Sequence, residues 1–328
     1  MAYEQYGKIE DIDINTTLIG PATAAQRINT LWGTGFGSRG YGQPFPLPVV
    51  NKGDPVRASD WMGIKLRAID IADHQNTAIT ADNYPVGGQI LYNNGLAKSM
   101  IDKLDTNRMS SLTQGGYQTH QITNSFPWTS KLVYTMTATF GSGDEARYFF
   151  NCGGQFAVRT WQPGLNTSIP IQLMIAKLAN DMGIVYWTGI SGGSTKTKIA
   201  DVDYAATTKI GGVGTPSSLS GSQDYFATST YTGTPVSIFR QVVSGGVTGY
   251  DSSFVDLAVA TSGDKGSNGA NGNVIKMVLT VDLAPLSALM PGGGIGYFYC
   301  IPPQLGQPSR LYTQSWGIPS VSLMVAAT

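Results

Sequence analysis

In residues 132–140, LVYTMTATF, the side chains of Leu132, Tyr134, Met136, Ala138 and Phe140 alternate with those of Val133, Thr135, Thr137 and Thr139. A period of two, rich in β-branched residues, is the signature of a strand with one face against a core. The run Gly141-Ser142-Gly143-Asp144 then supplies turn residues. Next, Tyr148–Phe150 and Gln155–Trp161 read as a strand pair flanking Asn151-Cys152-Gly153-Gly154, whose Gly pair argues for a hairpin or a bulge.

Working outward toward the C-terminus, strand candidates recur at Ile184–Thr188, Tyr225–Thr230, Val236–Val243, Ser253–Ala260, Val274–Leu283, Gly296–Ile301 and Val321–Ala326. Gly211–Gly221 and Ser262–Gly272 read as long hairpin loops. Such a series predicts a mainly β fold, with an antiparallel sandwich or jelly-roll-like C-terminal domain. One helix is expected within it. Ser168 is its cap, Pro170 lies in the first turn, Ile171, Met174, Ile175, Leu178 and Met182 form its apolar stripe, and Gly183 stops it. It should cover one face or end of the sandwich.

Toward the N-terminus the period changes. Ala22, Ala24, Ala25, Ile28 and Leu31 have helical spacing after Pro21, and Gly33 ends the run. Gly33–Pro48, GTGFGSRGYGQPFPLP, is dense in glycine and proline and reads as an extended, polyproline-like exit. A second helix follows Ser59 as N-cap and runs to about Gln75, and a third spans Leu96–Leu112. The expected organisation is an extended arm with a short helix and a Gly/Pro-rich segment over 1–50, a small helical or mixed attachment region over 51–123 and a β-sandwich domain over 124–328.

Composition bounds the function. The 328 residues include 41 Gly and 17 Pro, and 13% are charged, against about 25% in ordinary soluble domains. Acidic residues comprise only Glu4, Glu10 and Glu145 besides eighteen Asp, a surface written for turns and not for helices. Lys plus Arg equals Asp plus Glu at 21 each, so no single-sign field exists to draw nucleic acid or an anionic membrane. A weakly charged neutral surface tends instead to associate. The opening MAYEQYGKIE lacks a basic and an apolar signal region, and no run approaches the roughly 18 apolar residues of a membrane span, so assembly in a cytoplasm is expected. In a reducing compartment Cys152 and Cys300 read foremost as buried thiols, with a disulfide or a metal site as the alternatives.

Catalytic motifs fail on context. Gly35–Gly40 matches GxGxxG but follows a helix and enters a proline run, whereas a dinucleotide loop needs a strand before and a helix after. Gly189–Gly193 matches GxSxG, yet both histidines, His74 and His120, lie upstream of it, which leaves Ser191 without the later base. His74, near the end of the second helix, reads as a cap. No cofactor or metal site is expected. Asp144 with Glu145, or Asp201 with Asp203, could serve glycan cleavage if each pair stood about 5–9 Å apart. Trp128, Trp161 and Trp316, beside turn residues, could form a sugar platform or subunit contacts.

Several strings together resemble a family of virion structural proteins of large tailed bacteriophages, especially those of cyanobacteria. They are RINTLWGTGFGSRGYGQ (27–43), SDWMGIKLRAIDIADHQNT (59–77), LVYTMTATFGSGDEARYFFNCGGQFAV (132–158), DYFATSTYTG (224–233) and VIKMVLTVDL (274–283). The likeness spans about half of the chain. Its most specific part is Arg147, Tyr148, Phe149, Phe150, Asn151, Gly153 and Gly154, with Cys152 where a smaller residue is expected. The resemblance implies a tail, neck or fibre component without catalytic residues.

The expected function is therefore structural: self-assembly and docking to neighbouring virion proteins, with Trp32, Gly33, Gly35, Arg39, Gly40, Tyr41, Gly42, Pro44, Pro46 and Pro48 as the candidate assembly segment. The expected partners are further copies of the chain and other tail, neck or fibre proteins, with neither nucleic acid nor membrane. The alternatives are an adhesin for host-surface polysaccharide and, behind it, a polysaccharide depolymerase.

Overall fold

The computed structural model describes residues 21–49, 58–79, 94–111, 116–189, 197–199, 202–204, 206–227, 235–243, 249–263, 272–283, 289–307 and 309–327. Three helices come first: α1 (Pro21–Trp32), α2 (Ala58–Gln75) and α3 (Asn94–Thr106). Then follow β1 (Gln118–Thr123), β2 (Lys131–Thr139), α4 (Gly143–Asn151), β3 (Gln155–Trp161), α5 (Pro170–Met182) and β4 (Ile184–Thr188). The short strands β5 (Thr197–Ile199), β6 (Val202–Tyr204), β7 (Thr207–Ile210) and β8 (Ser218–Leu219) precede the long β9 (Val236–Val242), β10 (Phe254–Thr261), β11 (Val274–Asp282), β12 (Ile295–Ile301) and β13 (Ser320–Ala327).

The protein is mainly β, as its alternating runs predict. Among the described residues one sheet has the order β1-β12-β3-β4-β7 and a second the order β13-β2-β11-β10-β9-β8, while β5 pairs with β6 alone. Every pairing is antiparallel. Alternation makes the two large sheets a sandwich: Leu132, Tyr134, Met136 and Ala138 of β2 enter the same core as Phe156 and Val158 of β3 and Phe298 and Cys300 of β12. Fully burying a side chain such as Leu132 or Phe298 is worth roughly 1.5–3 kcal/mol. α5 lies against β3 of one sheet and against β9 and β10 of the other, so its stripe plugs an opening between them. Its N-cap is Ile169, one residue beyond the expected Ser168, with Pro170 opening the first turn.

Six expectations about local elements need correction. Gly143–Asn151 is helix α4, so Tyr148–Phe150 is not a strand and Gly141–Asp144 is a helix start and not a hairpin turn. Gln118–Thr123, placed by its sequence in the attachment region, is an edge strand of the first sheet. Tyr225 and Phe226 lie in a turn, and residues 228–230 of that candidate strand fall outside the described residues. The third helix ends at Thr106, and Gly211–Gly221 contains β8.

The N-terminal helices do not stand apart. Ile28 and Leu31 of α1, Ile64, Ala68 and Ile71 of α2, and Ile101 and Leu104 of α3 belong to the buried cluster that includes the sandwich interior. The Gly/Pro-rich stretch, expected as an extended arm, is folded inward: Tyr41 and Gln43 are buried. Asn29 holds its proline run along α1, donating from Nδ2 to the Leu47 carbonyl at 2.8 Å and accepting from the Leu47 amide at 2.7 Å. With Pro46 and Pro48 lacking N–H groups, Leu47 supplies the donor of this run. Residues 1–20 of the expected arm lie outside the described residues.

Candidate functional site

The glycine-rich loop of residues 33–42 and the segment 147–154, more than 100 residues apart, meet at α4. This helix begins with a capping box: Ser142 Oγ accepts from the Glu145 amide at 3.1 Å, while Glu145 Oε2 accepts from the Gly141 amide at 3.0 Å. Its residues Ala146 through Asn151 are all buried. On one face Phe149 and Phe150 join Phe140, Phe156, Trp187 and Tyr225; Phe150 stacks on Tyr225 with centroids 4.2 Å apart. On the other face Arg147 and Asn151, one helical turn apart, meet the glycine loop.

Arg147 is 1% exposed. Its Nη1 donates to the Arg39 carbonyl at 2.6 Å and the Gly37 carbonyl at 3.4 Å, and its Nη2 to the Thr34 carbonyl at 2.7 Å. Nε and Nη2 both reach Asp144 Oδ1, at 3.0 and 2.9 Å. Asn151 Nδ2 adds bonds to the carbonyls of Gly40 at 2.9 Å and Gly37 at 3.3 Å. The planar guanidinium suits this fork of acceptors, which one ammonium would not span. Its ring neighbour is Tyr148, 4.8 Å from the guanidinium carbon, and burial raises the Tyr148 phenol above its ordinary range.

The loop is tied on its other sides as well. Arg39 makes a two-pronged pair with Asp105 of α3 at 2.7 and 2.9 Å. Arg108 donates to the Ser38 carbonyl and hydroxyl. Gln43 Nε2 donates to the Thr313 carbonyl, while its Oε1 accepts from the amides of Tyr312 and Thr313. Trp32 donates from Nε1 to the Pro44 carbonyl and lies under Arg67 at 4.1 Å. Gly42 sits at φ +63°, and a Cβ there would stand 2.6 Å from both Ser315 Cβ and the Tyr148 ring, so this crossing point needs glycine. Gly33, Gly35 and Gly40 line the same turn, whereas Pro46 and Pro48 are exposed. Gly153, at φ +88°, turns the chain out of α4, and Gly154 packs on Phe149.

This geometry has the opposite polarity to a phosphate loop. Such loops aim backbone N–H groups at an anion; here the carbonyls of Thr34, Gly37, Arg39 and Gly40 converge on a buried cation and an amide. The arrangement is a clasp joining the N-terminal helices, the sandwich and the C-terminal segment at 312–315.

The remaining candidate residues are placed as follows. Asp144 holds Arg147 and Glu145 caps α4, so each carboxylate of that pair has a structural partner. Residues 190–193 of the GxSxG stretch and Asp201 lie outside the described residues, as does the side chain of Asp203. Cys152 and Cys300 are free buried thiols, the first raised well above its ordinary pKa and the second to about 12, both by desolvation. His74, expected as a cap, is buried against the Tyr41 ring, and desolvation lowers it to about 3. Trp128 and Trp316 are buried, whereas Trp161 is 51% exposed. Among the described residues no group of three His, Cys, Asp or Glu is placed to hold a metal, and no helix is long and apolar enough to cross a membrane.

The helical state of α4 was open to sequence reasoning, because Ser142 and Glu145 have capping-box spacing ahead of Ala146, Phe149 and Phe150. Comparison with known proteins yields no matching family model, no curated relative and no similar solved structure.

Proposed function

We propose that the chain is a non-enzymatic structural subunit of a phage virion, from the tail, neck or fibre, that works by self-assembly and by docking to neighbouring proteins. One observation carries this reading. Beside the clasp, large apolar side chains are turned to solvent: Phe45 is 75% exposed at φ 59°, and Met62, Leu66 and Tyr312 are exposed as well. Arg67 Nη2 bonds the Phe45 carbonyl at 3.1 Å, and its guanidinium lies 5.9 Å from the Tyr312 ring centre, so the patch is held in shape from below. A non-glycine residue in the left-handed region costs energy, as does an aromatic ring left in water. A docking neighbour would offset the second cost. The resemblance read from the sequence supplies the particle context.

The test is incorporation. Full-length protein carrying Phe45→Asp and Leu66→Asp should keep its circular dichroism and fall at least about tenfold in abundance in purified particles, measured by quantitative mass spectrometry, as expected for the loss of roughly 1.4 kcal/mol or more of docking energy. Undiminished incorporation, or absence of the wild-type chain from particles, would refute the reading.

A glycan-binding reading has its own observation. Trp161 stands at the end of a row in which Arg159 lies over Tyr297 at 4.7 Å and Tyr297 lies parallel to Tyr299. A glycan array with the full chain separates this from assembly, because a pure connector gives no signal.

A further inference from the structure

The edge strand β13 differs from the edge strands at the far ends of the two large sheets. At the far end of its sheet β8 has two residues, and in the other sheet β7 has four and carries Lys209. Short strands and edge lysines are the ordinary means of keeping sheet edges from pairing with foreign strands. β13 has none of them. It pairs with β2 over eight residues, from Ser320↔Thr139 to Ala327↔Leu132, without a register shift, and its sequence SVSLMVAA contains no charge, proline or glycine. The neighbouring edge strand of the other sheet, β1, is QTHQIT, so neither of these two edge strands carries Asp, Glu, Lys or Arg.

The core is also open there. Leu132, Tyr134, Met136 and Ala138 of β2 are buried, yet Val321, Leu323, Val325 and Ala327, which pack against the same core, stay half-exposed. Among the described residues no strand pairs with β13 on the side away from β2. A strand with apolar side chains at alternate positions on the core side and small or uncharged ones outside would fit there.

We infer that β13 is a self-association edge, pairing antiparallel with β13 of a second copy to join the two six-stranded sheets across a two-fold axis. The inference deepens the assembly reading and rests on it, naming the interface and the partner. A second copy meets each requirement. Antiparallel pairing of β13 with itself sets Val321, Leu323 and Val325 against the same residues on the core side and Ser320, Ser322, Met324 and Ala326 against one another outside, with no like charges opposed. It also uses the free edge of both copies, so the contact closes as a dimer instead of propagating.

The experiment is light scattering and sedimentation of the full chain at roughly micromolar to tens of micromolar concentration, the range in which an interface of about −7 to −8 kcal/mol is populated. The wild type should weigh about twice 34.8 kDa. Met324 is 59% exposed and Ser322 faces outward with it, so replacing both does not reach the core. Ser322→Lys with Met324→Lys, and separately Ser322→Glu with Met324→Glu, should each give a folded monomer. An equimolar mixture of the two variants should restore the dimer, an outcome that loss of folding cannot imitate. Amide exchange in residues 320–327 should slow as wild-type concentration rises. A monomeric wild type at every concentration, or variants that remain dimeric, would overturn the edge assignment. Particle incorporation is read separately, so a failed edge with normal incorporation leaves the assembly reading standing, and absence from particles with an intact dimer removes that reading alone.

Discussion

Replacing Arg147 by methionine keeps most of the side-chain volume and removes all of its guanidinium donors. The carbonyls of Thr34 and Arg39 then lose this partner, at about 1 kcal/mol each, while Gly37 keeps its bond from Asn151. The pair with Asp144 adds less than a fully buried pair would, about 1 kcal/mol, because the Asp144 side chain is 30% exposed and can be rehydrated. Together the loss is about 3 kcal/mol, which corresponds to a fall of about 4 °C in the melting temperature of a chain this size. Arg147→Lys should recover less than half of it, since an ammonium cannot reach three carbonyls set around a planar fork. Thermal and urea unfolding followed by circular dichroism measure both values, and trypsin cleavage at Arg39 reports whether the loop has come free. A loss below about 1 kcal/mol for the methionine variant, or a lysine variant equal to the wild type, would show that the fork does not hold the loop.

Two further outcomes follow from the same packing. Gly42→Ala should cost at least about 2 kcal/mol, because it combines a left-handed backbone angle with a Cβ 2.6 Å from Ser315 and Tyr148; Gly211→Ala, where a Cβ meets open space at a similar angle, should cost visibly less in the same melts. His74 is held neutral by burial, with its pKa lowered from 6.5 to about 3, so the stability it allows is fully present above pH 6.5 and is lost as pH falls toward 3. Relative to His74→Leu, the wild type should lose up to about 1.4 kcal/mol per pH unit in that window, and a flat difference in paired urea titrations would contradict the buried neutral imidazole.

The contrast between α5 and α4 explains what could be read in advance. α5 lies between the core and solvent, so its stripe Ile171, Met174, Ile175, Leu178 and Met182 repeats with helical spacing and announces it. α4 is buried from Ala146 onward, so its polar pair Arg147 and Asn151 faces carbonyls and not solvent, and its aromatic triplet imitates a strand. β1 escaped notice for a related reason. As an edge strand it buries little, and QTHQIT has hardly any apolar alternation to detect. The glycine loop was recognisable as special, but its carbonyls find Arg147 across more than 100 residues, and no local pattern encodes such a pairing.

By itself the sequence determined the elements whose periodicity faces one solvent boundary: α1, α2 and α5, and the long strands β2, β10, β11 and β12. Local hydrophobic period is a property of neighbouring residues and survives without the fold. Tertiary structure alone decided the buried setting of α4, the inward course of residues 33–48 and the placing of β13 at an open edge. Each of these depends on which distant groups satisfy a buried polar atom or leave one side of a strand uncovered, and that is set only when the chain closes on itself.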